Sequence, residues 1–311
     1  MTRKQLISAG IILIKVVISA YLIYWISRHI DFRQLGGFIL DNATLVVFVA
    51  FLSVALWGVE FLRFFMICRR GGIAQPVRPL MKAFFVGFSF RFILPGSQGE
   101  IGKMLFIKGT PAQRVSVYLF EKATLIFATL LLLGPAAWFL LPRFRFPAMG
   151  ISAGLLLVFL GWTNIARWKP VQRYLPSNLS KRRTFLLQVA LGMIHLSLVT
   201  VQYQIFLSDF GISFLQTGGV VIIVLSALLI PISFAGLGLR ESVAFSLLQP
   251  LGVPGSVGVG VPLIVFVFNV ALPAIIGVSV FLFRRMKVEG RADLDAETST
   301  DSGANFEMVN K

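Results

Sequence analysis

Stretches of about twenty apolar residues recur along this 311-residue chain, each long enough to cross ~30 Å of hydrocarbon as a helix. In that solvent every backbone N–H and C=O must find its partner inside the protein, which restricts spanning structure to helices or a closed barrel. The runs here are continuous rather than alternating, so helices are expected. Composition agrees: 57% of the residues are hydrophobic and 14% charged, against roughly a quarter charged in a soluble domain. The expected class is all-α and polytopic. The run Ile7 to Ile26 follows Arg3 and Lys4 in the manner of a signal peptide. It is too long for a typical h-region and has no A-x-A site, so it reads as a retained first helix.

Cys68 is the only cysteine, which rules out a disulfide framework or a cysteine metal site. Of the two histidines, His29 falls at a helix end, and His195 inside an apolar run reads as a helix-packing polar group. No nucleotide, metal or cofactor motif is visible. "GISAG", Gly150 to Gly154, matches the G-x-S-x-G nucleophile elbow but lacks its strand–turn–helix context. Two glycines four apart in an apolar span read instead as a helix-packing face. "GEIGKM" lacks the P-loop spacing.

The net charge of +16 is unevenly spread. Six of the 13 acids lie after Lys287, so residues 1–287 form one strongly basic membrane domain and 288–311 an acidic, Ser/Thr-rich tail expected to be disordered. Cations scattered over short loops between apolar spans favour anionic lipid head groups over nucleic acid as the partner. The positive-inside rule then sets a topology. Arg3 and Lys4 place the N-terminus in the cytoplasm, and helices are expected at about 7–27, 42–67, 114–140, 147–164, 184–206 and 258–283. Arg284, Arg285 and Lys287 place the C-terminus inside as well. Trp25, Trp138, Trp162 and Trp168 fall at expected interfaces, whereas Trp57 does not.

With six full spans, parity requires residues 79–112 to begin and end inside, and 213–257 to begin and end outside. Each is therefore expected to be a re-entrant or broken helical hairpin, the two entering from opposite faces like an inverted repeat. Both carry helix breakers beside charge. In the first, Pro95 and Gly96 break the helix, and a restart near Ser97 or Gly99 would place Glu100 in a positive first turn with Lys103 at i+3. Arg91 in the same hairpin needs an anionic partner. In the second, Pro231 breaks the helix, Ser233 is placed to cap, and Gly236 and Gly238 permit close approach. Arg240 and Glu241 are adjacent, so they diverge by about 100°, and one or both are expected to reach a partner elsewhere, such as Glu100, Lys103, Arg91 or a ligand phosphate. Further along, Glu121 is expected to face the cavity while Lys122 snorkels to the cytoplasmic surface. Glu60 and Arg63, at i and i+3, fit either an ion pair or a site lining.

Three blocks, "LPGSQGEIGKMLFIKG", "EKATLI" and "PISFAGLGLRESVAFSLLQPLGV", in this order and wide spacing, resemble the transmembrane region of lysylphosphatidylglycerol synthases, a flippase-like family of bacterial and archaeal membrane proteins. The resemblance covers about residues 5–285. It implies movement of lipid between leaflets of the plasma (inner) membrane. The positions it implies are Pro95, Gly99, Glu100, Lys103, Glu121, Gly236, Gly238, Arg240 and Glu241. The synthases' soluble aminoacyl-transferase domain has no counterpart in these 311 residues, so aminoacylation is not implied.

The expectation is a lipid translocase without cofactor, passing an anionic head group between the hairpin tips. Arg240 and Lys103 would hold phosphate, with Glu100 and Glu241 as their counter-charges. The alternatives are a membrane-embedded enzyme acting on lipid head groups, and a small-solute or ion transporter. The oligomeric state is left open, a homodimer among the options.

Overall fold

A computed structural model describes residues 24, 32–93, 97–169, 171, 175–230, 233 and 236–282. The expected first helix, apart from Tyr24, and the acidic tail lie outside the described residues. Every regular element among the described residues is helical. In chain order the principal ones are α1 (Phe32–Asp41), α2 (Ala43–Arg70), α3 (Val77–Ile93), a 3-10 helix (Ser97–Phe106), α4 (Pro111–Leu131), α5 (Leu133–Leu140), α6 (Arg145–Leu160), α7 (Arg182–Leu207), α8 (Phe214–Ala227), α9 (Leu239–Leu248) and α10 (Gly255–Leu282). Five stretches are long and apolar enough to cross a membrane: Ala43–Arg70, Pro111–Leu140, Pro142–Leu160, Arg182–Phe210 and Gly255–Leu282.

Local chemistry sets the helix limits. The N-terminus of α4 is fixed by Thr110, whose hydroxyl accepts from the Gln113 N–H while the Gln113 side chain accepts from the Thr110 N–H. Ser213 and Gln216 repeat this reciprocal cap at α8. Each cap satisfies two backbone donors that the first turn would otherwise orphan. The join between α4 and α5, beside Pro135, is held from α6: Ser152 Oγ accepts from Gly134 N at 2.7 Å and donates to Leu130 O at 3.1 Å. The expected glycine packing face on this helix is not realised among the described residues. Gly150 and Gly154 are exposed, and a methyl group at either would meet nothing within 4 Å. Ser152, between them, makes the contact.

Helix α7 is the hub. Over half of its apolar stretch is buried (56%), whereas α6 is the outermost at 11%. It packs against α2, α4, α8 and α10. Tyr203, Leu207, Gln188 and Gln202 on α7 are almost fully buried. Between α7 and α10, Gln202 and Asn269 exchange hydrogen bonds of 3.1 and 2.7 Å, and Gln202 also donates to Ser53 on α2 at 2.9 Å. Asn269 sits in a π-helical turn, Val267–Ala271, inside α10. Such turns widen a helix locally and re-aim a side chain.

The two helix-breaker segments each produce a packed pair of short helices. The 3-10 helix packs along α3. Gly87 on α3 admits this approach: a Cβ there would stand 3.1 Å from Lys103 Cβ and Cδ. After α8 the chain turns through Gly236 (φ +80°) and Gly238 (φ +81°), and α9 then packs against both α8 and α10. Positive φ at both positions is a conformation that glycine adopts without a Cβ penalty.

Candidate functional site

The 3-10 geometry decides where the charges of the first pair point. With three residues per turn, positions three apart eclipse one another. Glu100 and Lys103 therefore share one face of the Ser97–Phe106 helix and look into the same space. Glu100 is the centre of an ion cluster that joins three elements. Its carboxylate lies 3.1 Å from Arg91 Nη1 on α3, 2.5 Å from Lys122 Nζ on α4 and 3.8 Å from Lys103 Nζ. Lys103, only 2% exposed, is held more closely by Glu121 on α4, at 2.7 Å, and by the Phe64 ring at 4.6 Å. Lys122 thus turns inward to Glu100 instead of snorkelling to the surface, because a buried carboxylate is within its reach.

Of the two readings open for Glu60 and Arg63, the structure has site lining rather than an ion pair between them, in two separate arrangements. Arg63 is 3% exposed, and its Nη2 donates to Thr124 Oγ1 at 3.2 Å and to Glu121 O at 3.4 Å. Its Nε–H has no acceptor, and no carboxylate oxygen lies within 4.0 Å of it among the described residues. Glu60, one turn earlier on α2, faces His195 on α7, with Oε1 3.2 Å from Nδ1. The pair is within ion-pairing distance but is not aligned as a hydrogen bond.

The second broken pair uses its charges differently. Glu241 does not reach across the protein; its Oε2 accepts from Gly238 N at 2.7 Å and closes the first turn of α9. Ser233, buried five residues upstream of α9, is not the cap. Arg240 is 5% exposed and lies over the Phe266 ring of α10, 4.7 Å from its centroid. A guanidinium over an aromatic face gains a cation–π attraction from the ring quadrupole.

These groups converge on one cavity of about 170 Å3. Its wall contains five cationic side chains, Arg63, Arg91, Lys103, Lys122 and Arg240, against three carboxylates, Glu60, Glu100 and Glu121. With His195 neutral, the lining carries an excess of two positive charges. The wall is also amphipathic. Along α4 it changes from Glu121 and Lys122 to Leu125, Ile126 and Thr129, a distance of about 12 Å at 1.5 Å per residue. Helix α8 and the two residues after it supply only apolar side chains: Val221, Val224, Leu225, Leu228 and Leu229. The structure therefore brings five of the expected site residues to one wall: Arg91, Glu100, Lys103, Glu121 and Arg240. Ser233, Gly236, Gly238 and Glu241 shape the adjoining backbone without lining it, Ser97 and Gly99 belong to the 3-10 helix, and Pro95, Gly96 and Pro231 lie outside the described residues.

The family model for the lysylphosphatidylglycerol synthase TM region matches residues 12–277. The chain belongs to this family. A search of curated proteins finds no match. The matched stretch includes both broken pairs and every charged residue of the cavity, so the ion cluster sits within the family's own region.

Arg63, Glu60, Lys122 and His195 line the cavity but were not singled out as binding residues by the sequence. Their shared signal is a charged or titratable side chain deep in an apolar run, which is costly in a membrane and so marks a site. Among the described residues no group of three or more His, Cys, Asp or Glu side chains gathers to hold a metal ion.

Proposed function

We propose that this membrane protein translocates an anionic amphipathic lipid, with the head group passing through the cavity between the two broken helix pairs while the acyl chains remain in the bilayer. The observation that carries this reading is the cavity wall, which holds five cationic side chains against three carboxylates and is otherwise largely apolar. Arg63 is buried with no carboxylate oxygen within 4.0 Å among the described residues, an expensive arrangement in which a phosphate supplies the missing charge. Arg63 and Arg240 are the anion-binding residues in this reading. The Glu100 cluster sets the shape and field of the polar end.

The family's printed description concerns the membrane region of a lipid synthase, which suits a lipid cargo. The matching reading of topology has six full spans, the sixth being residues 7–27, and the two broken pairs as oppositely oriented hairpins in an inverted repeat. It places both termini in the cytoplasm of a bacterium or archaeon and the chain in the plasma membrane. The activity is transport rather than catalysis, and the partners are membrane phospholipids.

Reconstitution into liposomes with leaflet-specific labelling of fluorescent phosphatidylglycerol tests this. Wild type exchanges the probe between leaflets faster than protein-free vesicles do. Arg63→Ala and Arg240→Ala each slow it by roughly tenfold or more, the loss of one charge-assisted hydrogen bond to the head group. Exchange by both variants at the wild-type rate contradicts the assignment.

A further inference from the structure

The three carboxylates of the cavity are not equivalent. Glu100 and Glu121 are each held by a lysine within 2.7 Å, and Glu100 by an arginine as well. Glu60 is the exception: its only ion-pairing partner among the described residues is His195, an imidazole that carries charge only when it holds a second proton. Both side chains line the cavity, from α2 and α7, and both are largely removed from solvent, at 18% and 9% exposed.

The surroundings define what this pair can do. The charged groups that face it are Arg63 on α2, Arg91 on α3, Glu100 on the 3-10 helix and Lys122 on α4. Arg91 and Lys122 are committed to Glu100. Helices α8 and α10 carry no charged residue, and α7 none beyond Arg182 and Arg183 at its start. Arg63 faces the pair too, but it bonds to Thr124 and the Glu121 carbonyl and lies beyond 4.0 Å of the Glu60 carboxylate, so no cation of fixed charge pairs directly with Glu60. The pair has two states of low cost. With one proton, as carboxyl plus imidazole or carboxylate plus imidazolium, it is neutral. Without that proton it carries one negative charge.

We propose that the Glu60–His195 pair is a proton-binding site coupled to the anionic cargo, so that one proton accompanies each head group. The inference rests on the proposed lipid function and deepens it by naming what drives the transport. Loading the proton raises the positive excess of the cavity lining from two charges to three, which favours an entering anion. By linkage the bound anion favours the proton equally. The proton enters from water onto a Glu60 oxygen or His195 Nδ1, and leaves to water when the head group departs. A proton gradient would then bias lipid movement without any nucleotide.

The test measures binding of dihexanoyl phosphatidylglycerol, a soluble short-chain probe, to the purified full chain in detergent across pH, beside infrared difference spectra of the same samples. Wild-type affinity rises as pH falls, by up to about tenfold per pH unit for one linked proton. Glu60→Gln, which imitates the protonated carboxyl, binds the probe tightly at every pH and lacks a protonated-carboxyl band that titrates in wild type. If that variant does not fold, His195→Gln replaces it and shifts the midpoint of the pH dependence. Binding to wild type that does not vary with pH, or a pH dependence unchanged in both variants, overturns the coupling while leaving the lipid function intact. A probe that binds neither wild type nor Glu60→Gln at any pH overturns the lipid function and the coupling with it.

Discussion

The two broken helix pairs share a sequence signature yet spend their charges in different ways. In the first, Glu100 accepts from residues on α3 and α4 and faces a lysine of its own 3-10 helix, so its carboxylate clasps three elements together. In the second, Glu241 bonds to Gly238 only three residues away and steadies its own helix, while Arg240 stacks on Phe266. The first pair is thus fixed by a network and the second by a local cap and packing. Helix type accounts for much of this. The eclipsed spacing of a 3-10 helix stacks Glu100 and Lys103 on one face, whereas adjacent residues on α9 diverge. The difference also divides the labour: the first pair builds a rigid polar wall, and the second presents one cation on a compact, glycine-hinged turn.

The comparison breaks or sharpens under substitution. Lys103→Met gives the largest effect, because it leaves Glu121 buried without its cation; a loss of about 3–5 kcal/mol is expected. It is read as a large fall in the thermal melting point in detergent, and a change near zero would remove the network from the account. A double-mutant cycle between Glu100→Gln and Lys122→Met comes next, with a coupling of about 1–3 kcal/mol. Gly238→Ala follows, costing about 1–2 kcal/mol through its positive φ alone. Glu241→Ala is the smallest, about 1 kcal/mol for a lost helix cap. A Glu241→Ala effect equal to that of Lys103→Met would erase the distinction between the two pairs.

Much of the fold was legible in the sequence, because apolar length and breakers are local properties. The expected helices at 42–67 and 184–206 are found as Ala43–Arg70 and Arg182–Leu207. The two breaker segments each yield a packed pair of helices. Of the site, Arg91, Glu100, Lys103, Glu121 and Arg240 were all named from charge inside apolar sequence and all line the cavity. What failed depends on rotation of a helix about its axis, which tertiary packing sets. Lys122 was expected at the surface because its neighbour Glu121 was placed inward, yet both reach the same cluster from adjacent positions. Glu60 and Arg63 are spaced to pair, and instead each finds a partner on another helix. His195 was read as packing because nothing in its own run names Glu60, 135 positions away. Glu241 is the opposite case: the reach from position N3 back to Gly238 is local, and the Gly-x-x-Glu spacing carries it.

The central claim is that the cavity joining the two pairs holds an anionic lipid head group. Electron cryo-microscopy of the protein in nanodiscs containing phosphatidylglycerol tests it most directly. The account predicts phosphate density within hydrogen-bonding distance of Arg63 or Arg240, with acyl-chain density leaving past Leu225 and Leu229. A cavity filled only by water, with ordered lipid confined to the outer belt, would contradict it.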